Sequence, residues 1–202
     1  MRRLAPRRAA LLLIDVQDRL YRTLPDDQRR PVLDHLTTLR LTAQRLDLPV
    51  VACELDPRAH GRTIPQLGGL PVVEHTRLSA ASSDDLGAQL GDRDQVVLAG
   101  LETHLAVAQT ALDLLDRGLG VWLVVDACLD RRPRDAEVAL ARLARAGAWV
   151  TSTSATLFEW VDHVHDPLYQ ELVRAHHMAH RAEEVPVAQA HMEERLDALA
   201  DD

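Results

Sequence analysis

The stretch AALLLIDV, residues 9–16, decides how the rest of the sequence is interpreted. It is a continuous aliphatic run, which is typical of a strand that is buried on both faces of a parallel sheet. Asp15 interrupts the run, so the apolar part is too short for a signal peptide or a membrane-spanning helix. We therefore expect a core strand with a carboxylate at its carboxyl end.

The segments that follow alternate between helical and strand patterns. Apolar residues recur at helical spacing over 28–46, which predicts a helix with one apolar face. Further strands are predicted at Val50–Cys53, Val72–His75, Gln95–Gly100, Val121–Asp126 and Ala148–Thr151, and further helices at Ser82–Leu90, Thr103–Arg117 (capped by Thr103) and from Pro133 to about Ala146. This alternation predicts a three-layer α/β sandwich, in which helices cover both faces of a six-stranded parallel sheet.

The composition limits the classes of function. Of the 202 residues, 23 are lysine or arginine and 31 are acidic, which gives a net charge of −8, and all 23 are arginine. An acidic chain is a poor candidate for binding nucleic acid. The absence of lysine excludes chemistry that needs a lysine ammonium or a Schiff base. Two cysteines indicate a reducing compartment, so we expect a cytoplasmic protein with no membrane partner.

Polar side chains follow the predicted strands at their carboxyl ends, where open parallel sheets bind ligands. They include Asp15 and Gln17 after the first strand, Glu54 after the second, and His75 and Arg77 at the end of the third. We predict that these side chains line the ligand site.

The long loop Glu54–Gly69 adds charged residues close to that site, and long loops in α/β domains are often functional. Arg58, His60 and Arg62 of this loop, together with Arg77, could hold a carboxylate substrate in bidentate fashion. Alternatively, they are solvated surface charges.

Five motifs resemble, in order along the chain, those of the isochorismatase-like hydrolases, which are cysteine hydrolases. They are LLLIDVQ (11–17), VVEHTRLSA (72–80), VVLAGLETHLAVAQTALDLL (96–115), VVDACLDRRP (124–133) and Thr151–Glu159. The resemblance implies the sheet order 3-2-1-4-5-6, a small-molecule substrate or ligand and a homo-oligomer. It places the family domain at residues 8–180 and leaves an acidic helical appendage at 181–202.

The resemblance also implies which residues carry the family's chemistry. The family uses a carboxylate after the first strand, a lysine after the third and a cysteine at the helix after the fourth, because only a thiolate attacks the substrate. The matching positions here are Asp15, His75 and Ala106. Because alanine carries no nucleophile and the chain has no lysine, we do not expect cysteine-dependent hydrolysis.

The turn after the fourth strand completes the site that the resemblance implies. Leu101, Glu102, Thr103 and Leu105 are predicted to shape this turn and its backbone N–H groups, which hold an oxyanion in the family. The resemblance also implies a cis peptide bond between Leu101 and Glu102.

Other candidates have a structural as well as a functional interpretation. Cys53 and Cys128 could be displaced nucleophiles or packing residues. His176 and His180 are four residues apart and could bind zinc or face solvent. No suitable further ligand accompanies them in the sequence, so we predict no metal and no cofactor.

Two functional hypotheses follow. In the first, Asp15 and His75 direct a water molecule onto an activated bond of a small polar molecule. In the second, the chain is a pseudoenzyme that binds a small ligand or acts as an oligomeric scaffold. An open pocket with Asp15 and His75 within hydrogen-bonding distance favours the first. A pocket filled by aliphatic side chains such as Leu105 or Leu78 favours the second.

Overall fold

The structure is a computed structural model that describes residues 3–161 and 163–174. The chain divides into two compact units, one that ends at Trp160 and one that begins at Val161. In the second unit, residues 167–174 are helical. The predicted domain boundary at residue 180, the appendage of 181–202 and the pair His176 and His180 lie outside the described residues. Within the described part of the chain, no helix has both the length and the apolar character needed to cross a membrane.

The first unit is built on a six-stranded sheet. Its strands are β1 Ala9–Ile14, β2 Val50–Leu55, β3 Val72–His75, β4 Gln95–Leu101, β5 Gly120–Leu129 and β6 Trp149–Thr151. All neighbouring strands are parallel and the spatial order is 3-2-1-4-5-6, which confirms the predicted fold and strand order. The direction of winding reverses between β1 and β4, and ligands of open α/β sheets bind at this point.

The helices mostly follow the predicted pattern. They are α1 Asp18–Tyr21, α2 Asp26–Arg45, α3 Pro57–His60, α4 Asp84–Leu90, α5 Ala108–Asp116, α6 Pro133–Ala146 and α7 Thr153–Trp160. The sequence analysis did not identify α1 or α3. Each has only four residues, which is about one turn and too short to show a helical period.

The segment predicted as one helix over Thr103–Arg117 has two parts. It begins as a π-helical turn, Thr103–Val107, and continues as α5. The prediction that Thr103 caps the helix is wrong, because Thr103 is the first residue of the turn and its backbone N–H donates to Asp130 at 3.0 Å. Asp130 is 27 residues away in sequence, so the local pattern contained no sign of this contact.

The core explains why β1 is apolar without alternation. All six of its residues are buried. The even-numbered residues belong to a cluster with Leu86, Leu114 and Leu143 from α4, α5 and α6. The odd-numbered residues point to the opposite face, and α2 packs against β1. Both faces of β1 are therefore covered, as the aliphatic run predicted.

β1 and β4 approach each other closely at Gly100, which has a φ of +136°. A Cβ atom at this position would lie 2.1 Å from the backbone oxygen of Ile14 and 2.7 Å from its nitrogen. No side chain fits in that space, and the φ value is one that side-chain-bearing residues rarely adopt. The junction of the two central strands therefore requires glycine.

Two tryptophans stack at the β6 edge of the sheet. Trp122 of β5 and Trp149 of β6 are register partners, and their rings stack with centroids 4.6 Å apart and planes 18° apart. Trp122 is buried and Trp149 is 38% exposed. The stack packs the short β6 strand against β5.

Candidate active site

Asp15 occupies the turn directly after β1. Its φ is 53°, in the left-handed region, which aspartate adopts more readily than most residues with a side chain. Its backbone N–H donates to the Cys53 oxygen at 3.0 Å, and its carbonyl accepts from the Gln17 N–H at 2.7 Å. This turn brings the carboxylate to His75 at the end of β3.

Asp15 and His75 form a buried pair. His75 Nε2 lies 2.9 Å from Asp15 Oδ1, and His75 Nδ1 lies 2.7 Å from the carbonyl oxygen of Arg77. A carbonyl only accepts, so Nδ1 carries hydrogen, and one proton lies between Nε2 and Oδ1. The pair is then either imidazolium with carboxylate or imidazole with carboxylic acid. It is neutral overall in both forms, which reduces the cost of its burial.

Burial has the largest effect on the pKa of each group. It raises the pKa of the Asp15 carboxyl, and the hydrogen bond to His75 only partly opposes this. Burial by itself lowers the pKa of His75, but the hydrogen bond and charge of Asp15 outweigh it, so the His75 pKa lies above its ordinary value. The folded pair therefore holds its proton more tightly than the unfolded chain does.

This pair is expected to make the free energy of unfolding fall between about pH 6 and about pH 8. Both pKa values are raised from ordinary values of 3.8 and 6.5. The contribution of His75 is complete below its unfolded pKa and is lost as the pH rises through its folded pKa. Urea unfolding at both pH values measures the difference. The double variant Asp15→Asn/His75→Gln is expected to show a smaller difference between the two pH values. An equal difference in both proteins would contradict the assignment of the pH dependence to this pair.

Ala106, at the family's nucleophile position, lies in the π-helical turn and is 3% exposed. It belongs to the same apolar cluster as Cys53, and its methyl group supplies no nucleophile. Burial, and secondarily the charge of Asp15, raises the pKa of the Cys53 thiol far above its usual range. Burial likewise raises the pKa of Cys128 to about 12. Both thiols are therefore protonated, and unreactive as nucleophiles, near neutral pH.

Glu102 lies at the junction of β4 and the π-helical turn. The peptide bond between Leu101 and Glu102 is cis, as the resemblance implied. The Glu102 carboxylate forms a two-point ion pair with Arg131, in which Nη2 lies 2.8 Å from Oε2. The Leu105 N–H donates to the Glu102 carbonyl at 3.0 Å. Glu102 is thus engaged in holding the turn.

The backbone N–H groups of this turn already face an anion. The Asp130 carboxylate accepts the N–H of Thr103 at 3.0 Å and that of His104 at 3.2 Å, and it also bonds to the His104 imidazole. The strand-end rule includes residues 126–132, which follow the fifth strand at the same end of the sheet as Asp15. The sequence analysis gave no individual role to Asp130 or its neighbour Arg131.

Gln17 and Glu54 are buried, and their polar atoms hold the loop after β2. The Gln17 amide donates to the carbonyls of Leu55 and Gly61 at 3.1 and 2.6 Å, and it accepts the Leu55 N–H at 2.9 Å. Glu54 accepts the N–H and the hydroxyl of Thr63, both at 2.7 Å. Both residues were predicted to bind ligand, and the structure places them as anchors of the loop.

Arg62 completes the anchoring of Glu54. Its Nη1 lies 2.9 Å from Glu54 Oε2, and it also pairs with Glu74. Burial raises the pKa of Glu54, but the hydrogen bonds from Thr63 and Arg62 outweigh burial and lower it overall. Glu54 is thus a paired carboxylate in the folded chain.

A cavity of about 610 Å³ opens beside the carboxyl end of β3. Its charged lining residues are Asp56, Arg58, Arg62, Glu74 and Arg77. Three of the four loop and strand-end residues suggested for carboxylate binding therefore meet at one cavity, and His60 is not among its lining residues.

The structure matches the first of the two expected arrangements in part, because an open cavity adjoins the hydrogen-bonded pair. Asp15 and His75 are within hydrogen-bonding distance, but their side chains are only 2% and 0% exposed. Leu105 and Leu78 are not among the residues that line the cavity. His75 is among the residues that line the cavity, but its side chain is fully buried, so the imidazole and the Asp15 carboxylate are sealed below an open cavity.

Comparisons with known proteins identify related sequences and folds. The family model described as the isochorismatase domain matches residues 9–155. Isochorismatase domain-containing protein 2 of Bos taurus is 32% identical over 173 residues, which cover 84% of this chain and 83% of that protein. Isochorismatase domain-containing protein 2A of Mus musculus is 34% identical over 176 residues, with 84% and 83% covered.

Solved structures show the same fold. The MAR1 ribonuclease of Caenorhabditis elegans is similar with a TM-score of 0.76 and 30% identity, covering 86% of this chain and 91% of the other. The YcaC gene product of Escherichia coli, described as an octameric hydrolase of unknown specificity, has a TM-score of 0.72 at 22% identity, with 88% and 97% covered. The match to the family model and the identity to the vertebrate proteins establish that this chain is a member of the isochorismatase family.

Proposed function

We propose that this isochorismatase-family protein does not use cysteine-dependent hydrolysis, and that it binds a small polar molecule in the cavity beside β3. The observation that carries the proposal is the sealed Asp15–His75 pair. His75 Nδ1 donates to the Arg77 carbonyl, and Nε2 is hydrogen-bonded to Asp15. A general base must reach the proton that it removes, directly or through one water, and neither ring nitrogen is open to solvent.

The surroundings of Ala106 support the same proposal. Covalent hydrolysis needs a nucleophile beside the base, and the family's nucleophile position is here Ala106, which lies in an apolar cluster. The raised pKa values of the two thiols make them poor substitutes.

A second candidate function is hydrolysis by a directed water. The 2.9 Å contact between His75 and Asp15 is the geometry of a base held by an orienting carboxylate, and this observation favours it. Because Asp15 orients the imidazole through Nε2, the basic nitrogen would be Nδ1, and the mechanism requires a movement that frees Nδ1 from the Arg77 carbonyl and admits water to it. We rank ligand binding first because the pair is closed to water in this structure.

A hydrolase screen with small amides, esters and vinyl ethers separates the two functions. We expect the unaltered chain to show no turnover above buffer, and Asp15→Asn to leave that result unchanged. The double variant Ala106→Cys/His75→Lys restores a thiol and an ammonium, and is expected to raise turnover at least about tenfold in a form that a thiol reagent abolishes. Turnover by the unaltered chain that disappears in Asp15→Asn would overturn the proposal and support the water mechanism.

Two partner predictions belong to this proposal. We expect a homo-oligomer, which light scattering on the full chain measures. We also expect no nucleic-acid partner, because the chain carries a net charge of −8. Since the Caenorhabditis elegans neighbour is described as a ribonuclease, an RNA oligonucleotide is included in the screen, and its cleavage would contradict this expectation.

A further inference from the structure

We infer that the cavity beside β3 is an anion site, in which Arg58 and Arg77 hold a small hydroxycarboxylate. This inference rests on the proposed function, which places a small polar ligand in the same cavity. It adds the chemical class of the ligand and the two residues that select it.

The three arginines of the cavity differ in their partners. Arg62 is neutralised by Glu54 and Glu74. Arg58 and Arg77 are exposed, and within residues 3–161 and 163–174 neither guanidinium group pairs with a carboxylate. Although Asp56 and Glu74 also line the cavity, these two guanidinium groups have no acidic partner in the described part of the chain and are available to an anionic ligand.

Hydrogen bonds to His75 fix both of the backbone segments that carry these two arginines. His75 Nδ1 donates to the Arg77 carbonyl at 2.7 Å. The Asp56 N–H, at the start of α3, donates to the His75 carbonyl at 2.8 Å, and α3 carries Arg58. The sealed Asp15–His75 pair therefore supports both sides of the cavity from inside the protein. Because these segments are already fixed, ligand binding costs less conformational entropy.

The other lining groups narrow the ligand class. Asp56, Ser82 and Ser83 belong to the same lining, and the Ser82 hydroxyl donates to the Ser79 carbonyl at 2.6 Å. A guanidinium group binds a carboxylate through two parallel hydrogen bonds, whereas the Asp56 carboxylate requires a donor such as a hydroxyl group. A cavity of about 610 Å³ has the size of a small-molecule site. A ligand with both a carboxylate and a hydroxyl group matches these demands.

Titration calorimetry with L-malate as the probe tests the inference on the full chain. We expect saturable binding by the unaltered protein, and at least a tenfold weaker affinity in Arg58→Gln/Arg77→Gln. Both side chains are exposed, so the double variant is expected to keep its fold. The matched control is Arg134→Gln, which removes an exposed arginine of α6 that pairs with Glu137, and it is expected to bind malate like the unaltered chain. Equal malate affinity in the unaltered protein and the double variant would overturn the arginine assignment.

Two further probes distinguish failure of this inference from failure of the proposed function. Binding of inorganic phosphate without malate would overturn the hydroxycarboxylate assignment. Binding of malamide, the uncharged diamide of malic acid, as tightly as malate would overturn the anion site but leave a small-molecule cavity in place. Absence of binding by all three probes would also overturn the inference. The hydrolase screen independently tests whether cysteine-dependent chemistry is lost.

Discussion

Replacing Gly100 with alanine is expected to lower the free energy of unfolding by more than about 4 kcal/mol. The added Cβ would lie 2.1 Å from the Ile14 oxygen, and the φ of +136° suits only glycine. Both contacts involve backbone, which cannot move aside as a flexible side chain can. Because Ile14 directly precedes Asp15, any relief of the clash would also displace the buried pair. Urea unfolding and circular dichroism of the purified variant measure the effect.

Gly87 is the matched control for this substitution. It lies inside α4, and a Cβ atom there meets nothing within 4 Å. Gly87→Ala is expected to keep the fold and to gain roughly 0.5–1 kcal/mol, because alanine loses less backbone entropy in a helix. A folded Gly100→Ala protein with nearly unchanged stability would mean that β1 and β4 do not approach each other as described.

Replacing His75 with leucine is expected to cost about 3–5 kcal/mol in the free energy of unfolding at neutral pH. The substitution leaves the Asp15 carboxylate buried without its ionic partner, and Asp15 must then either remain charged inside the protein or take up a proton. Because the second route becomes easier at low pH, the loss is expected to be smaller at about pH 5. Urea unfolding at both pH values measures it.

The double variant Asp15→Asn/His75→Leu tests the physical reason. It removes the ionisable carboxylate, while asparagine still accepts the left-handed backbone at position 15. We expect it to recover most of the stability that His75→Leu loses, since a neutral amide is far less costly to bury than an unpaired charge. If the double variant is no more stable than His75→Leu, the loss comes from packing or from the Arg77 carbonyl bond, and not from the stranded charge.

The strand framework could be predicted from the sequence because its signals are local. The six aliphatic residues of β1 predicted a strand covered on both sides, and β3 has the predicted bounds, Val72–His75. Strand order is not a local property, and it came from the resemblance of ordered motifs to a known family. The π-helical turn could not be predicted, because the carboxylate that engages its first N–H groups belongs to Asp130, after the next strand.

The site was predictable in position but not in its internal contacts. The strand-end rule selected Asp15 and His75, and the structure brings them to 2.9 Å from each other. The same rule selected Gln17 and Glu54, whose polar atoms instead hold the loop after β2. Sequence position shows which end of the sheet a side chain occupies. It does not show whether its hydrogen-bonding capacity is used by the protein or remains open to a ligand.

The stacked indoles of Trp122 and Trp149 give the protein an intrinsic optical reporter. Two of the three tryptophans in the chain are in van der Waals contact on neighbouring strands, and such a pair couples its electronic transitions into a paired positive and negative circular dichroism band. That band exists only while β6 remains beside β5. If the band disappears before the central sheet unfolds, β6 detaches first. If both are lost together, β6 and the central sheet unfold as one unit.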